Sequence, residues 1–110
     1  MNTTTQPARD SDGYLIDPEK WEESLVPMLA AEEGVDLKPE HWPVLGFMRQ
    51  YWVSHQVAPD VRHVVGFLVE KHGFDKKSAK QHIFKLFPYG YVKQACKIAG
   101  MKRPRAWSTG

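Results

Sequence analysis

The sequence predicts a mainly α-helical fold: a compact bundle of about five helices with a helix-turn-helix-like pair, room for a short N-terminal β element, and a flexible C-terminal arm. Three observations carry this. Apolar residues recur at three- and four-residue steps in successive stretches, proline stands at or near the start of three of them, and glycine stands behind most of them. At 110 residues, 42% of them hydrophobic, the chain has the length of one domain and can bury roughly two-thirds of its unfolded surface around one core.

Residues 1–12 are polar and read as a disordered tail. Gly13-Tyr14-Leu15-Ile16 is the first ordered segment, a short extended piece. Asp17-Pro18 starts a helix, with Asp17 as cap and Pro18 at the first position. Glu19, Glu22 and Glu23 suit its positive end. Trp21, Leu25, Met28 and Leu29 form one apolar stripe that ends at Gly34, and Pro27 kinks or splits this helix. A second helix starts at Lys38-Pro39-Glu40. Trp42, Leu45, Met48 and Trp52 line one side with Val44, Phe47 and Tyr51 beside them, so this helix is apolar nearly all round and should run through the core. A third begins at Pro59-Asp60, carries Val61, Val64, Val65, Leu68 and Val69, and closes at Gly73. A fourth, about Lys76 to Phe87, turns Ala79, Ile83, Leu86 and Phe87 inward. Pro88-Tyr89-Gly90 is a turn, and a short fifth helix runs from about Tyr91 to Ala99. Residues 13–100 thus form the helical domain, and residues 101–110 a mobile basic arm.

The formal net charge is +2, but it is unevenly spread. Residues 1–70 hold five basic and twelve acidic side chains, giving −7, and residues 71–110 hold ten basic and one acidic, giving +9. Either this marks a surface for an acidic partner, protein or nucleic acid, or two solvated faces offset each other. Met1 to Asp12 has no apolar core of a secretory signal, and no apolar run reaches the ~18 residues of a membrane span. With Cys96 as the lone cysteine, no internal disulfide forms, and a reducing, cytoplasmic setting is expected.

No independent catalytic site is apparent. His41, His55, His63, His72 and His82 lack metal-ligand spacing, one cysteine cannot build a zinc cluster, and there is no glycine-rich phosphate loop. Glu22-Glu23 and Glu32-Glu33 are sequence neighbours and point in different helical directions. No metal or cofactor is expected. The third and fourth helices, joined through His72-Gly73-Phe74, are spaced like a helix-turn-helix, with Lys76, Lys77, Lys80 and Lys85 placed for phosphates and Ser78 and Gln81 for base edges. Cys96 has two readings. Lys93 and Lys97 flank it and favour a thiolate, whereas the negative end of its short helix opposes one, and the plainer reading is a small apolar packing residue.

Several motifs in order resemble the DsrC/TusE family of sulfur-relay proteins. Phe87-Pro88-Tyr89-Gly90 and Lys93-Gln94-Ala95-Cys96-Lys97-Ile98-Ala99-Gly100 are similar to its C-terminal signature. Gly13-Tyr14-Leu15, Trp21, Pro39-Glu40-His41-Trp42 and Ala58-Pro59-Asp60-Val61-Arg62 match upstream at the right intervals, so the likeness covers roughly residues 13–104. The resemblance implies a helical domain with a helix-turn-helix-like pair and a flexible arm. It implies persulfide relay toward tRNA thiolation or between dissimilatory sulfite reductase and its partners, with the sulfur held on a next-to-last cysteine of the arm. In some members a second cysteine about ten residues earlier joins it in a disulfide or trisulfide. Cys96 corresponds to that earlier cysteine. The place of the arm cysteine falls near Trp107, and the β-hairpin that family members carry ahead of Gly13 is here a polar segment.

A relay arm needs a nucleophilic thiolate, and tryptophan has none. The resemblance therefore implies a protein that is at most a sulfur carrier or sulfurtransferase component. Its expected role is that of an accessory or regulatory paralogue docking on a sulfur-transfer or sulfite-reductase-type complex through Lys93, Lys97, Lys102, Arg103, Arg105 and Trp107, an aromatic anchor among cations. Two alternatives stay open: Cys96 as a persulfide acceptor, and a DNA-binding regulator using Lys76, Lys77, Lys80, Gln81 and Lys85.

Overall fold

The structure, a computed structural model, describes residues 7–103 of the chain. Two 3₁₀ turns, Pro18–Lys20 and Glu23–Leu25, lead into four α-helices: α1 Val26–Glu32, α2 His41–His55, α3 Val61–His72 and α4 Lys76–Leu86. A π-helical segment, Tyr91–Cys96, is the fifth helix. No sheet forms among the described residues, and the mainly α-helical architecture is the one the sequence predicts. No helix is long and apolar enough to cross a membrane among these residues.

Of the expected tail at residues 1–12, residues 1–6 lie outside the described residues, and the part from Ala8 onward is ordered. Asp10 N donates to Tyr14 O at 2.8 Å and Ile16 N to Ala8 O at 3.1 Å, so residues 8–16 form a small hairpin with an antiparallel bridge between Arg9 and Leu15. The Asp10 carboxylate accepts from the amides of Asp12 and Tyr14 (2.9 and 3.0 Å). Arg9 pairs with Glu32 of α1. A polar sequence thus supplies the turn's own hydrogen bonds, and the apolar partners lie on one strand only: Tyr14 and Leu15 are buried.

The helix expected from Asp17 to Gly34 is split. Asp17 caps a single 3₁₀ turn through the Glu19 amide (3.1 Å), and Trp21 then takes an extended conformation. Pro27 falls in the first turn of α1, where an absent amide leaves no bond unmade. The second helix also differs in detail. It starts at His41 and buries His41, Val44, Leu45 and Met48, while Trp42 and Val53 are exposed, so it lines the core on one face rather than running through it. His41 is locked in place: its Nδ1 accepts from Lys38 N (3.0 Å), so its Nε2 carries the proton and donates to Leu86 O (2.8 Å).

The third and fourth helices follow the sequence closely. Asp60 Oδ1 accepts from the amides of Arg62 and His63 at 2.9 and 3.3 Å, and His63 Nδ1 accepts from Asp60 N at 3.1 Å. Asp75 and Ser78 form the equivalent reciprocal pair at 2.7 and 3.1 Å. Val64, Val65 and Leu68 of α3 and Ala79, Ile83 and Leu86 of α4 are buried, each large aliphatic side chain contributing about 1.5–3 kcal/mol on burial. The two helices, linked through Gly73, form the expected helix-turn-helix-like pair.

Candidate functional site

The candidate site is the root of the C-terminal segment, where the π-helical segment meets the body. π-Helical winding is rare and gathers at functional positions. Here it turns four of its six residues, Tyr91, Gln94, Ala95 and Cys96, into the core. Gln94 explains part of the tilt. Its Nε2 donates to Glu33 O at the end of α1 (2.8 Å), and its Oε1 accepts from Tyr89 N (3.0 Å). A buried amide with both ends satisfied fixes the segment's rotation.

The segment ends in a paired-bond cap. Met101 N donates to Cys96 O at 2.9 Å and Gly100 N to Lys97 O at 3.1 Å, with Gly100 at φ +75°, the left-handed Schellman geometry. Two side chains from elsewhere close over this cap. Trp21 Nε1 donates to Ile98 O (2.9 Å). Arg49 of α2 donates through Nη1 to Ala99 O (3.0 Å) and through Nη2 to Pro18 O (2.9 Å). The Arg49 guanidinium also lies 4.6 Å over the Trp21 ring and 5.2 Å over that of Trp52. Met101, the first residue expected in the mobile arm, is fully buried.

Cys96 sits inside this root with no exposed surface. Burial pushes its thiol up to about 12, against a smaller opposing effect of the Tyr91 hydroxyl. The Tyr91 hydroxyl itself donates to Pro59 O, and burial raises its pKa as well. The flanking lysines do not act on the thiol as the sequence suggested. Lys97 Nζ reaches Glu33 Oε2 at 3.2 Å and lies over the Tyr14 ring, and Lys93 is exposed to solvent. Thiolate chemistry therefore finds neither access nor a charged nucleophile here.

Cys96 is thus expected to resist iodoacetamide in the native protein at pH 8 and to react fully in denaturant, as read by intact mass; rapid native alkylation would contradict the burial. Its raised pKa also sets a sign. Above the ordinary thiol value of 9.0 the unfolded chain releases a proton that the native chain keeps, so this group's stabilisation is intact below pH 9 and is lost as pH rises toward about 12.

The other sequence-predicted residues are scattered. Lys102 and Arg103 are exposed, Arg103 pairing with Asp12 at 2.9 Å, and Arg105 and Trp107 lie outside the described residues. Lys76, Lys77, Lys80, Gln81 and Lys85 all face solvent on α4, but with Phe84 exposed among them. No group of three metal-ligating side chains occurs among the described residues. Sequence reasoning gave no role to Arg49 or Gln94 and read Gly100 only as the end of the fifth helix. A lone arginine in an apolar helix and a glutamine in an apolar segment are the signals that pointed to them.

A family model for DsrC like protein matches residues 2–106. The chain belongs to the DsrC family. Its relatives include a protein named sulfurtransferase TusE from Pectobacterium atrosepticum, 40% identical over 97 residues, which are 88% of each chain. The oxidized gamma-subunit of the dissimilatory sulfite reductase (DsrC) from Archaeoglobus fulgidus superposes with a TM-score of 0.79 at 33% identity, covering 93% of this chain and 92% of that one. DsrC from Allochromatium vinosum gives the same TM-score and identity, covering 93% and 90%. The DsrC family resemblance read from the motifs is therefore confirmed, and with it the sulfur-relay family of the protein.

Proposed function

We propose that this DsrC-family chain is an accessory or regulatory member of a sulfur-relay system, one that docks on sulfur-transfer or sulfite-reductase-type proteins without carrying sulfur itself. The supporting observation is the state of its only thiol. Cys96 is enclosed, uncharged at neutral pH and built into the cap that roots the arm, and the sequence has no other cysteine. Docking then falls to the cationic segment Lys102-Arg103-Pro104-Arg105 and to Trp107, a composition suited to an acidic pocket with an apolar floor. The names of its relatives, sulfurtransferase TusE and the gamma-subunit of the dissimilatory sulfite reductase, support this choice of partner class.

Two measurements test this. Incubation with a small-molecule persulfide should add no sulfur atom to the intact mass, and a gain at Cys96 would make the chain a carrier. Deleting residues 104–110, which leaves Met101 in place, should abolish co-purification with the sulfur-transfer or sulfite-reductase proteins of the same cell. Equal recovery with and without the segment would rule out docking through the arm.

A further inference from the structure

Between α3 and α4 lies a groove of about 650 Å³ that no described part of the chain fills. Its α3 wall is the row Val61, Val65 and Val69, at four-residue steps and about 12 Å long. Ile83 and Phe84 form the α4 wall, with Tyr91 at the floor. Phe84, in the last turn of α4, leaves 62% of its surface in water beside the exposed Lys80, Gln81 and Lys85. The rim is cationic at its α4 edge: Arg62 is paired with Asp60 at 2.9 Å, whereas no carboxylate of the described residues pairs with Lys76 or Lys80, and Glu70 is the one acidic residue of the lining.

We propose that this groove receives an acidic amphipathic helix of a partner protein, a docking surface separate from the arm. An apolar stripe repeating every three to four residues would lie along the valine row and cover Phe84. Carboxylates beside that stripe would meet Lys76 and Lys80. The other occupants fit less well. Duplex DNA meets the lysines but gains nothing from an aliphatic floor. The chain's own segment beyond Met101 carries Lys102, Arg103 and Arg105, bringing cations to a cationic rim. A second copy packed face to face about a two-fold axis would set the same rim against itself.

The test uses the full chain, ¹⁵N-labelled, and two synthetic amphipathic peptides of about 18 residues with leucines at i, i+4, i+7 and i+11, their polar positions glutamate in one and lysine in the other. The acidic peptide should shift the amides of Val65, Val69, Lys80 and Phe84 and bind at least about tenfold tighter than the basic one. Gly66→Leu should lower that affinity at least about tenfold while the fold persists, because a Cβ at Gly66 meets no atom within 4 Å and a leucine there projects into the groove. Lys76→Glu with Lys80→Glu should reverse the preference for charge. Deletion of residues 104–110 should leave all of this unchanged, which separates the groove from arm docking. Equal affinity for the two peptides, shifts mapping elsewhere, or displacement of the peptide by duplex DNA would overturn the proposal. Groove shifts on deleting residues 104–110 without peptide, or a dimer that Gly66→Leu dissociates, would overturn it equally.

Discussion

Gly100→Ala is expected to destabilise the protein by about 2–4 kcal/mol, more than any conservative surface change would. Two effects add. The residue holds φ +75°, where an L side chain is strained, and an alanine Cβ would sit 2.2 Å from Trp21 Cδ1 and 2.6 Å from its Cγ. Trp21 has little room to yield, since its indole is bonded to Ile98 O and stacked beneath Arg49. Urea denaturation followed by tryptophan fluorescence should show the midpoint falling at constant slope. A loss below about 0.5 kcal/mol, the range of neutral surface substitutions, would mean that the cap is looser than its geometry indicates.

Arg49→Ala is expected to cost a comparable amount, about 3 kcal/mol, because part-buried carbonyls lose their charged donor and two indole faces lose their cation. Arg49→Lys should not restore it. Carbonyls of Ala99 and Pro18 are met by two different guanidinium nitrogens, and one ammonium cannot span them. Amide hydrogen exchange at Gly100 and Met101 separates this from general loosening: their protection should fall in Arg49→Lys before that of α3 and α4. If full protection survives in Arg49→Lys, the fork geometry is irrelevant and only the positive charge counts.

Much of the fold was legible because its signals are local. α3 announces itself by its start at Pro59-Asp60, its valine stripe and Gly73, and α4 by the stripe Ala79, Ile83, Leu86 and Phe87; the structure keeps these and adds the unread cap at Asp75. Pro27 marked a break, although the position of α1 behind it depended on Trp21 turning away to a carbonyl 77 residues later. The hairpin at residues 8–16 was hidden because Asp10 and Arg9 stabilise it through polar bonds, one of them to Glu32. The outward face of α2 was misjudged for a similar reason: hydrophobic content does not say that Trp42 is left uncovered while the polar His41 is enclosed between Lys38 and Leu86.

The site was legible as a motif and not as an environment. Lys93-Gln94-Ala95-Cys96-Lys97 located the right segment, but the charges beside the cysteine suggested an accessible thiol. The π winding and the Gln94 bridge turn that thiol inward, and Glu33 engages the nearer cation. None of these partners is adjacent in sequence, and Arg49 lies 50 residues from Ala99. The exposed Phe84 went unremarked because a helix read for its lysines directs attention to phosphate contacts.

The clamp on Gly100 and Met101 also works as a mooring. From Met101 to Trp107 there are six residue steps, a leash of at most about 22 Å from backbone to backbone. Any crevice that captures the indole must therefore open within that radius, plus the side chain's own reach, of a fixed point beside Trp21. A partner that docked through Trp107, as proposed, would have to bring its crevice up against this end of the body, and steric fit there would select among partners.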